Sequence, residues 1–482
     1  MTGHYDLILR GGRVIDGSGS VASRADVAIQ GECIAAIGRL DGARARREID
    51  VSGMAVAPGF IDTHTHDDAE VLVRPEMRAK VSQGVTSVIV GNCGISAAPA
   101  SRAAELMGSS AAGRAGFEHF ADYLGALRDR PGAVNVGALV GHSSLRASVM
   151  PDITRSASDS EIGAMRALLS DALAAGALGI STGTFYPPAR AATTDEIIRV
   201  CAPLRGAGGI FTTHMRDEAD GVMASLEETA AIGRALGVPV VISHHKCAGV
   251  RNHGRSRETL AAIEAMAATQ AVGMDVYPYD ASSTMLRADR VRISQRTLIT
   301  HCARYPEVVG RDARELAQER GCTVEALCEA LHPAGATYFM LSEDDVRRIL
   351  NHDLAMIGSD GVNDQPQPHP RLWGTFPRVL GRYARDLGLM PLERAVHKMT
   401  GLPAQRFGLQ RRGLLREGWF ADITVFDPAT VRDNATYENP ALPSSGILHV
   451  FTNGRPVWED SAPTGQRAGR LLGRGAGDGS RA

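Results

Sequence analysis

Six side chains of the types that bind zinc or carry protons follow short apolar runs in this sequence. They are His64, His66, Cys93, His214, His244 and Asp360. The first two histidines are two residues apart, so on an extended segment both point the same way and can hold one ion. Imidazole nitrogens, a thiolate and a carboxylate together form the usual ligand set of zinc. The pattern therefore predicts a metal site with an acid–base group beside it.

Each of these residues taken alone has an ordinary structural explanation. A single histidine at a strand end is more often a hydrogen-bonded rim residue, and we interpret His142, His245 and His369 in that way. Asp360 lies in residues 358–361, Gly-Ser-Asp-Gly, which is also a common turn sequence. The joint occurrence of nitrogen and sulfur donors after separate runs favours the metal hypothesis. The position of Asp360 after the last run favours a catalytic role in proton transfer.

Apolar runs alternate with helical patterns across the middle of the chain. The runs cover residues 56–61, 87–90, 134–140, 177–180, 209–213, 238–242, 272–276 and 355–357. This alternation indicates parallel strands joined by helices, such as 159–175 and 217–236. Eight repeats predict an α/β fold with a (β/α)8 TIM-like barrel over residues 57–407. Because a barrel places its active site at the carboxyl ends of its strands, the candidate ligands would converge at one rim.

The interval before the eighth run is much longer than the others. It predicts an insertion at about 282–348, after barrel strand 7, with helices of its own. Insertions at the catalytic face commonly cover the substrate.

Both ends of the chain carry the pattern of short strands separated by glycine turns. Residues 1–56 and 408–465 therefore predict one small β-sandwich domain assembled from the two termini. Residues 466–482 are rich in glycine and arginine, and we interpret them as a flexible tail.

Composition excludes several classes of partner. The chain has 482 residues and a formal net charge of -2. It therefore lacks the excess of basic residues that is typical of proteins that bind nucleic acid or an anionic membrane. No apolar run reaches the ~18 residues needed to span a bilayer, and the first residues lack the pattern of a signal peptide. The seven cysteines are odd in number and scattered, which favours reduced thiols and a cytoplasmic location.

Several motifs around the candidate ligands resemble a known family. Residues 58–66, Pro-Gly-Phe-Ile-Asp-Thr-His-Thr-His, resemble the opening motif of the amidohydrolase superfamily, and 413–428 resemble its return strand into the small β-domain. Within that superfamily, four further segments resemble the D-aminoacylase (N-acyl-D-amino-acid deacylase) family. They are residues 91–96, 213–218, 242–246 and 358–361. The resemblance extends from residue 5 to about residue 470.

The resemblance implies which residues bind metal. A tight zinc ion would be held by Cys93, His214 and His244, and a weaker second site would be formed by His64 and His66. Hydantoinases and dihydroorotases instead typically use a carboxylated lysine at the fourth strand end. In this chain that strand ends at residues 181–183, Ser-Thr-Gly, without a lysine. The missing lysine favours the D-aminoacylase family over the hydantoinases and dihydroorotases.

The same resemblance implies an activity. It is the zinc-dependent hydrolysis of N-acyl-D-amino acids to a carboxylate and a free D-amino acid, with Asp360 moving the proton. Tyr186, Lys246 and Arg371 would hold the α-carboxylate of this small-molecule substrate. Surface charge is the alternative explanation for Lys246 and Arg371. The preference for the D configuration depends on the resemblance alone.

The start of the insertion, residues 282–292, should lie over the side chain of the substrate. Arg287 could bind a second carboxylate, which would make the substrate N-acyl-D-glutamate, or it could pair with Asp289. Met285 and Leu286 could instead line an apolar pocket for D-methionine or D-leucine.

Two other functions compete with the deacylase hypothesis. A cyclic amidase of the hydantoinase type is disfavoured by the missing lysine. A non-catalytic metal-binding scaffold would be expected to have lost ligands, whereas all the expected ligands are present, and it would not need Asp360. No oligomeric state is predicted.

Overall fold

The computed structural model describes residues 4–103, 116–363 and 365–473, and within them the strands belong to three sheets. In chain order the strands are β1 (His4–Val14), β2 (Ser23–Gln30), β3 (Cys33–Gly38), β4 (Arg44–Asp50), β5 (Ala55–Pro58), β6 (Phe60–Asp62), β7 (Val85–Val90), β8 (Asn135–Gly141), β9 (Gly179–Gly183), β10 (Ile210–His214), β11 (Val240–Ile242), β12 (Val272–Val276), β13 (Ala281–Met285), β14 (Arg296–Cys302), β15 (Ala334–Phe339), β16 (Ala355–Ile357), β17 (Ile423–Phe426), β18 (Ile447–Thr452), β19 (Arg455–Glu459) and β20 (Ala462–Pro463).

Helices connect these strands, and the described helices cover, in chain order, Glu70–Val73, Arg78–Val81, Phe120–Asp129, His142–Val149, Asp159–Ala175, Pro187–Arg190, Thr194–Cys201, Leu204–Ala207, Val222–Leu236, Val250–Asn252, Ser256–Ala267, Ala288–Ile293, Pro306–Val308, Ala313–Glu319, Val324–Leu331, Glu343–Leu350, Arg371–Arg378, Val379–Asp386, Leu392–Met399 and Gly401–Phe407. In the described part of the chain, none of them is both long enough and apolar enough to cross a membrane.

Eight parallel strands form the centre of the molecule. They are β6 to β12 and β16, hydrogen-bonded in the order β16-β12-β11-β10-β9-β8-β7-β6. Beyond the ends of β6 and β16, Thr65 pairs with Gly361 in a parallel bridge, which joins the two edges. Strand residues are buried throughout, because helices cover the outer face of a parallel sheet and side chains fill its interior. The predicted (β/α)8 barrel is confirmed.

The barrel helices begin and end at residues suited to those positions. In the helix Asp159–Ala175, Ser158 accepts a hydrogen bond from the backbone of Glu161, and the Glu161 side chain accepts one from the backbone of Ser158. This reciprocal cap satisfies backbone N–H groups that the first turn leaves free. Gly176 ends the helix in a left-handed conformation with φ 117°, which costs glycine little.

The first predicted run, residues 56–61, is two strands in the structure. β5 belongs to the terminal sheet and β6 to the barrel, with Gly59 between them. A Cβ atom at Gly59 would lie 2.1 Å from Thr86 Oγ1, so the chain needs glycine at this close crossing. The hydrophobic pattern did not show this break, because both short strands are buried.

Strands from the two ends of the chain form one nine-stranded sheet. Its order is β20-β19-β18-β17-β5-β1-β2-β3, with β4 beside β1, and the antiparallel pair of β5 with β17 joins the termini. Its core contains Leu9, Val27, Ile29, Val425 and Phe451. The strands predicted in 1–56 and 408–465 lie in this sheet, while the domain bounds themselves remain a prediction.

The insertion after β12 has a core of its own. β13, β15 and β14 form an antiparallel sheet, and the helices Ala288–Ile293, Ala313–Glu319 and Val324–Leu331 pack with it. Helices were predicted here, but the sheet was not. The helix Glu343–Leu350 packs against β12 and β16 as a barrel helix, so the predicted insertion of 282–348 extends too far.

Residues 466–473 differ from the predicted flexible tail. Leu471 pairs with Val136 of β8, and the backbone of Gly469 donates to the carbonyl of Gly132. Leu472 is buried among apolar residues of the barrel floor, including Ile61. This short segment is therefore part of the packed structure, and the rest of the predicted tail, residues 474–482, lies outside the described residues.

Candidate active site

Cys93 lies at the centre of the predicted ligand cluster. Its Sγ atom is 3.3 Å from His64 Nε2, 3.4 Å from His244 Nε2 and 3.6 Å from His214 Nδ1. The four residues come from the carboxyl ends of β6, β7, β10 and β11, and all are buried. The structure thus brings together side chains that are far apart in sequence.

Asp360 joins this cluster from the end of β16. Its Oδ1 atom is 3.2 Å from His66 Nε2 and 3.6 Å from His64 Nε2, and its Oδ2 is 2.8 Å from Arg371 Nη1. Burial alone would raise the pKa of this carboxyl. The Arg371 guanidinium and the neighbouring histidines, including His244, outweigh burial and hold the pKa of Asp360 well below its usual range. Asp360 is therefore a carboxylate that can accept a proton.

The donor atoms fit a zinc ion. Ligand atoms of His64, Cys93, His244 and Asp360 all lie within 4.8 Å of one another. Burial would raise the pKa of the Cys93 thiol, but the charges of His64 and His244 lower it well below its usual value. A thiolate with imidazole nitrogens and a carboxylate is a soft, compact set that suits zinc better than calcium or magnesium.

Three of these residues have backbone conformations that few non-glycine residues adopt. Cys93, His244 and Asp360 have φ values of 52°, 35° and 49°. Such conformations cost about 1–3 kcal/mol each, and they persist only where the surrounding structure holds them. Their concentration at three barrel strand ends indicates that the rim is shaped to aim these side chains inward.

Glu218 was not predicted, although it lies four residues after His214. Its Oε1 atom is 2.6 Å from Lys246 Nζ and 3.0 Å from His244 Nδ1, and its Oε2 is 3.6 Å from His214 Nε2. Lys246 Nζ is also 2.7 Å from His244 Nδ1. Lys246, predicted to hold the substrate, is thus buried beside a carboxylate. The motif 213–218 contained this glutamate, but its spacing did not show which way it points.

Asp275 was also missed by the sequence interpretation. It lies within β12, and its carboxylate is 3.3 Å from His64 Nδ1. The same carboxylate accepts a 2.8 Å hydrogen bond from the backbone N–H of His244. Asp275 therefore orients one predicted ligand and fixes the strained backbone of another. An acidic residue in a strand interior was a signal, because buried carboxylates require partners.

Tyr186 and Arg371 lie at the same rim as the metal cluster. The ring of Tyr186 is 4.8 Å from that of His214, and its hydroxyl is 3.2 Å from Thr284 Oγ1. Arg371 is buried, with its guanidinium 4.6 Å from the ring centre of Tyr277. Tyr277, which follows β12, was not predicted, and its buried hydroxyl has no hydrogen-bond partner among the described residues.

Arg287 is not free in the structure. It donates two hydrogen bonds to Asp289, of 2.9 and 2.7 Å. Arg290 is 4% exposed, lies 4.3 Å from the ring centre of Phe185, and makes no ion pair within the described part of the chain. Its Nη1 atom is buried without a hydrogen-bond partner there. Both arginines line a cavity of about 490 Å³ that Phe185 separates from His214.

The three histidines that we interpreted as structural contact protein groups outside the cluster. His142 Nε2 is 3.5 Å from the carboxylate of Glu196. His245 Nε2 is 2.9 Å from the hydroxyl of Thr259, and His369 Nε2 is 3.1 Å from a backbone carbonyl.

Comparison with known proteins identifies relatives over nearly the whole chain. The model of an amidohydrolase family matches residues 47–236 and 187–458. A D-aminoacylase of Alcaligenes xylosoxydans xylosoxydans is 59% identical over 475 residues, which are 98% of each chain. An N-acyl-D-aspartate deacylase of the same organism is 53% identical over 476 residues, covering 98% of this chain and 95% of the relative.

A solved structure resembles the whole chain. It is that of an N-acyl-D-glutamate deacylase from Bordetella bronchiseptica, complexed with zinc and a phosphonate inhibitor that mimics the tetrahedral intermediate. It is 44% identical, with a TM-score of 0.93 over 98% of this chain and 100% of the other. The protein therefore belongs to the amidohydrolase family and, within it, to the group of D-aminoacylases and N-acyl-D-amino-acid deacylases.

Proposed function

We propose that the protein is a zinc-dependent hydrolase that cleaves N-acyl-D-amino acids to a carboxylate and a D-amino acid. The observation that carries the proposal is the buried cluster in which Cys93 meets three histidines, with the carboxylate of Asp360 alongside. The relatives that act on N-acyl-D-amino acids match almost the full length of the chain. The D configuration proposed for the substrate is taken from the names of these relatives.

The donor set supports two zinc positions of different strength. The tight position would use Cys93, His214 and His244, and the weaker one would use His64 and His66. Asp360 lies within 3.6 Å of both His64 and His66, so it would serve the weaker position as well. Zinc bound in such a site lowers the pKa of water toward ~7 and polarises an acyl carbonyl.

Asp360 would supply the proton transfers that amide hydrolysis requires. Its ionised carboxylate accepts a proton from the attacking water and then donates it to the departing nitrogen. Arg371 holds Oδ2 of this carboxylate, which leaves Oδ1 facing the histidines and the reacting centre. This arrangement fixes which oxygen exchanges the proton.

Unpaired donors near Asp360 would bind the α-carboxylate of the substrate. Arg371 Nε and the hydroxyl of Tyr277 are both buried without hydrogen-bond partners among the described residues. Tyr186 lies beside His214, and Lys246 has three ammonium donors, of which one faces Glu218 and a second faces His244 Nδ1. Together these groups support recognition of a free carboxylate next to the scissile amide.

We place this reaction in the cytoplasm. All seven cysteines are free, which suits a reducing compartment, and a small-molecule substrate requires no macromolecular partner.

The test is a hydrolysis screen with zinc supplied. Release of free amino acid is measured from matched N-acetyl-D- and N-acetyl-L-amino acids, with side chains that are apolar or acidic. We expect hydrolysis of D substrates and little of their L enantiomers. The Asp360→Asn variant, purified in parallel, controls for contaminating hydrolases. Equal rates on both enantiomers, or activity on cyclic hydantoins alone, would contradict the proposal.

A second candidate is a deacylase that prefers acidic side chains, and Arg290 favours it. A buried guanidinium without an ion pair is costly, and a substrate carboxylate entering the adjacent cavity would relieve that cost. The original candidate, Arg287, is neutralised by Asp289. The relatives include a D-aminoacylase as well as deacylases of D-aspartate and D-glutamate, so the two candidates are distinguished by the arginines of this chain.

Substitution of the two arginines separates these candidates. We compare kcat/KM for N-acetyl-D-glutamate and N-acetyl-D-methionine in wild type, Arg290→Met and the matched variant Arg287→Met. A charged hydrogen bond is worth about 1.5–3 kcal/mol, so Arg290→Met should lower the Glu/Met ratio by about 10- to 100-fold. Arg287→Met should change it much less. A wild type that prefers D-methionine shows that the acidic candidate is wrong.

A further inference from the structure

Glu218 is a buried carboxylate that contacts three functional side chains at once. Only 3% of the residue is exposed, and its oxygens face His214, His244 and Lys246. The backbone carbonyl of Glu218 also accepts a 2.7 Å hydrogen bond from the N–H of Ala248. It therefore joins the loop after β10 to the loop after β11.

Each of the two histidines presents opposite ring nitrogens to Cys93 and to Glu218. His244 directs Nε2 toward Cys93 Sγ and Nδ1 toward Glu218, and the latter distance is 3.0 Å. His214 directs Nδ1 toward Cys93 Sγ and Nε2 toward Glu218, at 3.6 Å, which is an electrostatic contact rather than a hydrogen bond. A carboxylate behind a metal-binding imidazole holds the orientation of the ring and raises its basicity as a ligand.

Lys246 completes this arrangement. Its ammonium lies 2.6 Å from Glu218 Oε1 and 2.7 Å from His244 Nδ1. Burial would raise the pKa of Glu218, but Lys246, His214 and His244 hold it well below its usual value. The cluster of His214, Glu218 and His244 could have been a separate cation site. The ammonium of Lys246 already supplies the positive charge there, so we assign it a supporting role.

We propose that Glu218 is a positioning residue that orients both histidines of the tight zinc position and also anchors Lys246. Metal retention and α-carboxylate binding are thereby coupled through one carboxylate. This inference rests on the proposed function, since it uses the zinc position and the substrate carboxylate named there. His244 depends on it most, because Glu218 lies 3.0 Å from His244 Nδ1 but 3.6 Å from His214 Nε2.

The test uses Glu218→Gln and the zinc affinity of the full chain, measured by competition with a chelator in the absence of substrate. Loss of such a supporting carboxylate typically weakens metal binding by about 10- to 100-fold, and we expect an increase of that size in the zinc Kd. In cobalt-substituted protein, the thiolate-to-cobalt absorption band should shift, because the two histidines are no longer held. For the remaining activity at saturating zinc, KM should rise as Lys246 loses its anchor.

Two further variants control the experiment. Glu228→Gln removes the same charge from a glutamate of the helix Val222–Leu236 that pairs with Arg216, and it should leave the zinc Kd and the cobalt band unchanged. Glu218→Asp keeps the charge but shortens the reach by one methylene, and it should weaken zinc binding to an intermediate extent. If Glu218→Gln does not fold, the aspartate variant carries the test.

A zinc Kd within about twofold of wild type, with an unchanged cobalt band, would overturn the role of Glu218. These two readouts need no substrate. A wild type that fails to hydrolyse N-acyl-D-amino acids would therefore refute the proposed function while the metal measurements still decide the role of Glu218.

Discussion

At the scale of single residues, the chemistry depends on the charge state of a few buried groups. Cys93 faces three histidine nitrogens, and its thiolate is stabilised by them. Cys201 is also fully buried, but burial without charged neighbours raises the pKa of its thiol, so it stays neutral. The same amino acid is thus a ligand candidate in one environment and a small core residue in another.

The Cys93→Ala variant should lose the tight zinc ion and the activity, because the central donor is removed. Elemental analysis of the purified protein measures the zinc, and Cys201→Ala serves as the matched control that should retain it. His64→Asn should be milder for the tight ion, since it belongs to the weaker position. Full zinc in Cys93→Ala would disprove the assignment.

Asp360→Asn separates binding from chemistry. The amide keeps the size of the carboxylate but cannot accept a proton, so kcat should fall by at least ~10²-fold. Zinc should remain bound, because Cys93, His214 and His244 are unchanged. Steady-state kinetics with parallel zinc analysis make the check. A near-normal kcat would remove Asp360 from the mechanism.

At the scale of elements, the ends of the barrel strands need unusual backbone to direct side chains inward. Gly91, two residues before Cys93, has φ 80°, and a Cβ there would lie 2.0 Å from the carbonyl oxygen of Leu139. The turn after β7 therefore passes directly against β8. Glycine here sets the position of the Cys93 thiolate, because no side chain fits between the two strands.

Gly91→Ala should displace the turn that carries Cys93 and reduce both stability and zinc content. The matched control is Gly125→Ala in the helix Phe120–Asp129, where a Cβ would meet no atom within 4 Å. That control should stabilise the protein by roughly 0.5–1 kcal/mol, since alanine favours a helix interior. Thermal unfolding and elemental analysis give the two readouts. Normal zinc content in Gly91→Ala would contradict this account of the turn.

At the scale of the whole molecule, both termini contribute to the packing around the barrel. β5 and β17 join the terminal sheet, and residues 466–473 continue to the opposite end of the barrel from the site. Leu472 packs there with Ile61, Leu139 and Met356. The last described residues therefore help to close the barrel floor.

Leu472→Ala should lower the free energy of unfolding by about 2–5 kcal/mol, because it leaves a cavity under the barrel. Leu442→Ala is the matched control, since Leu442 is 44% exposed and its truncation removes little buried surface. Denaturant unfolding of both variants gives the comparison. Equal stabilities would show that the C-terminal segment does not contribute to the barrel core.

The sequence by itself determined the barrel and which candidate ligands meet at its rim. Alternating apolar runs and helical patterns specify βα units, and parallel strands bring their carboxyl ends to one rim. His64, Cys93, His214 and His244 could therefore be placed together from their positions after the runs, and the structure brings them together. Local patterns sufficed because each candidate ligand lies at or just after the end of the strand that positions it.

Only the tertiary structure decided which charges pair. Glu218 reaches Lys246 across two loops, and Arg287 rather than Arg290 takes the carboxylate of Asp289. The packing of residues 466–473 likewise depends on partners more than 300 residues away along the chain. One of them is Asn135, whose side-chain oxygen accepts a hydrogen bond from the backbone N–H of Arg470. Spacing in sequence indicates which residues share an element, but ion pairs and buried contacts depend on distances between elements that the fold alone sets.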